Sequence, residues 1–330
     1  MKIAFLGTPA FAAVSAEALR AAGHSLVCVV AQPDRPAGRG QAPREPAAKR
    51  WALDRGIPML QPEKVKDGSL AAALARLEPE LLVVVAYGRI LGRDLLALAP
   101  HGAVNVHASL LPRWRGAAPV QWAIAEGDAW TGVTVMRMDE GLDTGPILLQ
   151  RATPIGPEED APSLLDRLGR LGAEALCEAI PLLASGQLTP VRQDDARHTI
   201  APVIEKELGR LDFQLPAPRL ACRIRGFSPW PGAFTTLGGK LLKVHAARPV
   251  AAAARISGTP GKAVPDTAAG GVREILAPGE IRPDPGGVLV GCGGGTALLL
   301  TELQLEGKRR MPAAEVLRGL RIAPGTVLGP

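Results

Sequence analysis

Five short runs in the first half of the chain, 2–6, 26–31, 81–86, 103–107 and 131–138, are rich in Val, Ile and Leu. Such runs suit strands buried on both faces in a mostly parallel sheet. Between them, the spacing of apolar positions predicts helices over 10–22, 45–55, 69–77 and 117–125, and a longer one over 161–184. Alternation of strand and helix implies a doubly wound α/β fold. The stretch 185–205 mixes Gly, Pro and charge with little periodicity and reads as a linker. From about 207 the pattern changes. A helix is predicted over 216–227, with Leu220, Ile224 and Phe227 on one face and Arg219 and Arg223 on another. Gly238-Gly239 between two apolar runs signals a hairpin within 235–244, and 287–291 and 296–305 read as further strands. Short strands punctuated by Gly and Pro suggest a small barrel.

A chain of 330 residues is long enough for two domains. The expected division is a catalytic domain over 1–188, a linker over 189–206 and a basic domain over 207–330. No run of 18 apolar residues occurs, so no membrane span is expected. The N-terminal residues read as a first strand, not as a signal peptide. Cysteines 28, 177, 222 and 292 are far apart and lack metal-ligand spacing, so no metal is expected; free thiols suit a cytoplasmic location. The net charge of +6 is uneven. Residues 207–330 carry 16 Lys and Arg against 9 Asp and Glu, whereas the remainder carries 22 against 23. The positive excess therefore lies wholly in the C-terminal part and points to an anionic partner there, with a solvated basic surface as the plainer alternative.

Candidate chemistry concentrates in 105–116. Asn105 and His107 lie two apart on a predicted strand and so face the same way. Polar groups at the carboxyl end of a buried strand are where open α/β sheets place their sites. Both side chains can donate to a developing oxyanion. Asp143 stands between Gly141 and Gly145, where a sharp turn can bring a carboxylate to a neighbouring strand; an Asp bonding its own turn is the ordinary alternative. Ser109 has no nucleophile elbow around it and is read as part of a pocket wall. The residues after the first strand, Gly7-Thr8-Pro9, are not a dinucleotide fingerprint. Arg113 and Arg115 flank Trp114, either steering an anion or charging the surface. The segment 32–46 carries four prolines with Arg35, Arg39 and Arg44, and by composition alone is a surface loop.

The pattern Asn105-x-His107-x-Ser109-Leu110-Leu111-Pro112-x-x-Arg115-Gly116, followed by Gly141-Leu142-Asp143-Thr144-Gly145, resembles the signature of the folate-dependent formyltransferases. The likeness also takes in Phe5-x-Gly7-Thr8-Pro9-x-Phe11, 32–40, Ala86-Tyr87-Gly88 and Phe227-Ser228-Pro229-Trp230-Pro231-Gly232, and so covers most of the chain. It implies a Rossmann-like first domain and an OB-like barrel as the second. It implies formyl transfer from 10-formyltetrahydrofolate to an amine, with Asn105, His107 and Asp143 as the catalytic set. Ser109, Leu110, Leu111, Pro112, Tyr87, Gly88, Asp139 and Gly141 are then expected to line the folate.

Within that family, a basic loop at 32–46 implies that the amine is carried on initiator methionyl-tRNA. Arg35, Arg39 and Arg44 would enter its acceptor end, with Arg39 central. Arg219, Arg223, Lys240 and Lys243 are candidate phosphate contacts in the second domain. Gln41-Ala42-Pro43 departs from the lysines that relatives usually carry there. A monomer is expected from the same resemblance. The rival readings are transfer to a small amine such as a nucleotide sugar, hydrolysis of formylfolate, and a non-catalytic RNA-binding module.

Overall fold

The computed structural model describes residues 1–37, 42–250, 264–265, 272–273, 276–318 and 323–329. In chain order the elements are β1 (Lys2–Gly7), α1 (Ala10–Ala21), β2 (Ser25–Val30), β3 (Arg35–Ala37), β4 (Ala42–Arg44), α2 (Ala47–Leu53), β5 (Met59–Leu60), α3 (Ser69–Ala75), β6 (Leu81–Val85), α4 (Arg93–Leu96), β7 (Ala103–His107), β8 (Arg115–Gly116), α5 (Pro119–Ala125), β9 (Trp130–Arg137), β10 (Ile147–Pro154) and α6 (Ala161–Ala184). They continue with β11 (Ile200–Ala201), α7 (Ala217–Gly226), β12 (Ala233–Leu237), β13 (Lys240–Val250), β14 (Val264–Pro265), β15 (Val272–Arg273), β16 (Ile281–Asp284), β17 (Gly287–Cys292), β18 (Thr296–Leu305), β19 (Met311–Pro312) and α8 (Ala313–Arg318).

Two compact units emerge. The first comprises Met1–Val120, Ala129–Gly156 and Ser163–Val203; the second comprises Gln121–Asp128, Pro157–Pro162 and Ile204–Pro330. Much of the stretch read as a linker thus belongs to the first unit, where β11 pairs with β8 and Val191 bridges Ile147.

The first unit is built on a seven-stranded sheet in the order β10-β9-β7-β6-β1-β2-β5. Strands β5, β2, β1, β6 and β7 are parallel, and β9 runs against both β7 and β10. In β1, Ile3, Ala4, Phe5 and Leu6 are all fully buried, as a strand covered on both faces requires. The chain winds one way from β1 to β2 and the other way from β1 to β6, so the carboxyl ends of these strands form a topological switch point. β10 was not anticipated. Five of its eight residues are only partly buried, so it lacks a period of its own and is recognised by its pairing with β9.

β7 divides its labour by alternation. Val104 and Val106 are buried, each such side chain contributing roughly 1.5–3 kcal/mol, and Gly172 of α6 lies against Val106. Asn105 and His107 take the opposite face. In the second unit, β12, β13, β18, β17 and β16 form an antiparallel sheet, with β19 added to β18. Leu220 and Ile224 of α7 are buried with Leu242, Val244, Val290 and Leu298 of the sheet, the face expected from the helical period.

Candidate active site

His107 ends β7, 6% exposed, and each of its ring nitrogens is addressed by a different loop. Nε2 lies 2.8 Å from the carbonyl oxygen of Trp114. A carbonyl only accepts, so Nε2 carries the proton and Nδ1 is the nitrogen left to face the site. Nδ1 lies 3.6 Å from Oδ2 of Asp143. That is an ion-pair separation and too long for a direct hydrogen bond. The neighbouring Gly116 N–H donates to the same Oδ2 at 2.9 Å. Both partners of His107 come from residues in left-handed backbone: Trp114 at φ 62° and Asp143 at φ 54°. Such conformations cost about 1–3 kcal/mol for non-glycine residues and persist where the surroundings over-determine them.

Glycines make the approach possible. A Cβ on Gly145 would sit 1.8 Å from the Arg137 carbonyl oxygen, and one on Gly116 would sit 2.7 Å from that of Ala201. Asn105 is 9% exposed, and its side-chain amide has no hydrogen-bond partner among the described residues. Two apart on a strand, Asn105 and His107 project from one face roughly 7 Å apart along the chain. A nearly buried amide with unspent donors and acceptors, beside a histidine, can receive a polar ligand atom.

The segment after β7 is held by side-chain bonds to backbone. Ser109 Oγ donates to the Arg113 carbonyl at 2.6 Å, which commits the hydroxyl to its own turn. Thr134 Oγ1 donates to the Ser109 carbonyl and accepts from the Leu111 N–H. Gln150 Nε2 donates to the Leu111 carbonyl at 2.9 Å. Leu111 is buried, whereas Leu110 and Pro112 are partly exposed. Gly88 is exposed, but the Tyr87 ring is buried in the core with Leu6, Leu82 and Leu91, and burial pushes its hydroxyl pKa up. The Tyr87 carbonyl accepts from Gln32 Nε2 at 3.0 Å. Asp139 is exposed and spends Oδ1 on the Gly141 N–H and the Thr144 hydroxyl. A cleft of about 560 Å³ beside Gly88 is lined by residues 63–67 and 88–90, including Lys64, Lys66 and Arg89. Asn105, His107 and Asp143 do not line it.

Arg115 was read as a steering or surface charge and is neither. It is 4% exposed; Nε donates to Gln193 Oε1 at 2.9 Å and Nη2 to Asp195 Oδ1 at 2.8 Å. Gln193, itself 5% exposed, was missed because it lies 50 residues from Asp143 in a stretch with no periodic signal.

The basic candidates contrast with this. Arg35 is exposed at the base of the β3–β4 hairpin, where it pairs in register with Arg44. Arg39, together with Gly38, Gly40 and Gln41, lies outside the described residues, as do the side chains of Ala42, Pro43 and Arg44. Below the hairpin, Asp34 accepts from Lys49 at 2.6 Å and from Gln61 at 2.7 Å, and these bonds, Gln61 first, hold its carboxyl below the usual range. In the second unit, Lys240 and Lys243 are exposed and have no ion pair among the described residues. Arg219 is paired with Glu126 at 2.9 Å. Arg223 lies over the Phe227 ring, 5.6 Å from its centroid, with Nε buried.

No group of acidic, His or Cys side chains among the described residues has the makings of a metal site, and no described helix is long and apolar enough to cross a membrane. All four cysteines are free; burial pushes the Cys28 thiol up to about 11 and that of Cys292 up to about 12, which leaves both unreactive.

Residues 1–180 match the formyl transferase family and residues 203–321 the formyl transferase C-terminal domain. The chain is 60% identical to a methionyl-tRNA formyltransferase of Anaeromyxobacter dehalogenans (strain 2CP-1) over 97% of both chains. It is 51% identical to that of Myxococcus xanthus, covering 98% of this chain and 97% of the other. Among solved structures, an N-formyltransferase from Helicobacter canadensis, in complex with folinic acid and dTDP-3-aminofucose, shares the fold. Its TM-score is 0.64 at 15% identity, over 91% of this chain and 98% of that one.

Proposed function

The chain belongs to the formyl transferase family, and on that premise we propose that it moves the formyl group of 10-formyltetrahydrofolate to the amino group of initiator methionyl-tRNA. The product is N-formylmethionyl-tRNA, for translation initiation. The observation that carries the reading is the joint geometry at the end of β7: an amide without a partner at Asn105, and a His107 ring whose Nδ1 faces Asp143. Relatives at 51–60% identity over nearly the whole chain carry the methionyl-tRNA formyltransferase name.

The chemistry follows from the groups present. The free amine attacks the formyl carbon, and the carbonyl π electrons move onto oxygen. The Asn105 amide N–H meets that oxygen, and an imidazolium Nδ1–H of His107 can do so too. Removing one such donor typically costs about a hundredfold or more in turnover. Collapse of the tetrahedral intermediate breaks the bond from carbon to the folate nitrogen. That nitrogen leaves as a neutral amine only if it gains a proton while the attacking nitrogen loses one. His107 can supply a proton only from Nδ1, because its Nε2–H is held by Trp114. Asp143 orients the ring and can pass on the proton shed by the amine. Neither a metal nor a covalent intermediate has a role in this scheme.

Folate is expected against the main chain of 109–112 and of Tyr87-Gly88, with Asp139 and Gly141 shaping the adjoining turn. The tRNA is expected to meet Arg35, Arg39 and Arg44 and the charges Lys240 and Lys243, with Arg219 and Arg223 contributing less because each already has a neighbour. Free thiols suit action in the cytoplasm, and one chain suffices for the catalytic set. The test is incubation of purified protein with 10-formyltetrahydrofolate and charged initiator tRNA, following formylmethionine. Formation that depends on both substrates is expected. Formate release without acceptor, or preference for an amino sugar, would overturn the assignment.

A further inference from the structure

Asp143 owes its place to a side chain that lies far from it in sequence. Both N–H bonds of the Gln193 amide are spent on the Asp143 turn: Nε2 donates to the Asp143 carbonyl and to the Gly145 carbonyl, each at 2.8 Å. The amide oxygen accepts from Arg115 Nε at 2.9 Å. The main chain next to Arg115 provides the remaining link, since the Gly116 N–H donates to the Asp143 carboxylate at 2.9 Å. Gln193, the Asp143 turn, Gly116 and Arg115 thus form a closed ring of hydrogen bonds, with Gln193 and Arg115 nearly fully buried. The same segment carries the Trp114 carbonyl that holds His107 Nε2. It is itself fixed by the Trp114 N–H on Thr199 Oγ1 and the Arg115 N–H on the Thr199 carbonyl, both at 2.9 Å. Imidazole and carboxylate are therefore referenced to one frame.

We propose that Gln193 is a positioning residue for formyl transfer: it clamps the left-handed turn that aims Asp143 at His107, and Arg115 holds it in register. The proposal rests on the reaction argued above. A primary amide is the group that fits. Two carbonyls at one end need two donors, and a guanidinium at the other needs an acceptor. Gln193 meets the Asp143 turn through main-chain carbonyls, so its loss should be felt chiefly as a displaced Asp143 carboxylate.

The test compares Gln193→Leu, Gln193→Glu, Asp143→Asn and the pair Gln193→Leu with Asp143→Asn, measuring kcat, KM for each substrate and melting temperature. Gln193→Glu keeps an acceptor for Arg115 but has no N–H for the two carbonyls. Both Gln193 variants are expected to lose about ten- to a hundredfold in kcat, as a misplaced catalytic group does, with KM for formylfolate and for tRNA within about twofold. In the Asp143→Asn background, Gln193→Leu should cost almost nothing more. Wild-type kcat in Gln193→Glu, multiplicative losses in the double variant, or loss of kcat in step with melting temperature in both single variants would overturn the inference. An Asp143→Asn enzyme as active as wild type would instead overturn the catalytic reading on which it rests.

Discussion

The end of β7 and the basic surfaces use charge in opposite ways. Around His107 almost every polar group is buried and committed: Nε2 to a carbonyl, Asp143 to a main-chain N–H, Arg115 to Gln193 and Asp195. Among the described residues the exceptions are the Asn105 amide and the Nδ1 edge of His107. Lys240 and Lys243 are exposed and carry no ion pair among the described residues. Stabilising a transient charge requires dipoles fixed before the reaction, because reorganising them during it costs energy. Holding a polyanion requires only enough positive charge, so individual placement matters little and the count matters most. Single substitutions should therefore be severe in the first region and graded in the second.

The largest effects are expected within the committed set. His107→Ala and Asp143→Asn should each lower kcat by about a thousandfold, and Asn105→Ala by about a hundredfold, with tRNA binding retained. Single-turnover formylation beside a filter-binding measurement separates the two quantities. Formylation within tenfold of wild type in either of the first two would remove the contrast between the regions.

Gly145→Ala comes next. Its Cβ would meet the Arg137 carbonyl at 1.8 Å, so the turn must move and Asp143 with it. A loss of about a hundredfold in kcat is expected, since misplacement on the order of 1 Å can cost that much. A fully active Gly145→Ala enzyme would mean that the position of Asp143 is not critical.

How much of this the sequence made legible depends on whether a contact is periodic. The strand Ala103–His107 was read with its observed limits, because the positions flanking its polar ones are apolar. α6 was likewise legible to the residue, because 24 residues repeat one apolar stripe. The pairing of Asp143 with His107 entered through resemblance of motifs, since 36 positions separate them and no period links them. The Trp114 carbonyl was invisible because every residue has one. Gln193 and Arg115 were missed or misread for a related reason. Their burial follows from how 191–203 packs within the first unit, and a charged stretch with little apolar periodicity announces no such packing.

For the basic surfaces smaller effects are expected. Lys240→Ala and Lys243→Ala should each raise KM for the tRNA several-fold, leave KM for the folate unchanged and lower the salt-dependence slope by about 0.7–0.9 if each neutralises one phosphate. Arg219→Ala should do less, because Glu126 already occupies its guanidinium. Titration of tRNA binding across salt concentrations measures this. A flat salt response in the wild type would argue for a small acceptor.

Asp195 joins the two regimes and should show the smallest effect. It ends the buried relay at Arg115, yet its own side chain is 64% exposed. The hydrogen bond from Arg115, and then the positive charges of Arg115, Arg192 and His198, hold its carboxyl below the usual range. A depressed folded-state pKa means that the ionised form stabilises the fold at neutral pH. That contribution is complete above the unfolded value of about 3.9 and fades as pH falls through the lower folded value. Exposure and salt screening keep it small. Asp195→Asn preserves an acceptor for Arg115 and removes only the charge. Its melting temperature should fall slightly below wild type at pH 7, the gap should close at pH values below the wild-type carboxyl's titration, and kcat should stay within about threefold, as for an exposed ion pair. A gap that persists unchanged into acid would mean that Asp195 acts by shape, and a large loss of kcat would mean that the committed network extends to the surface.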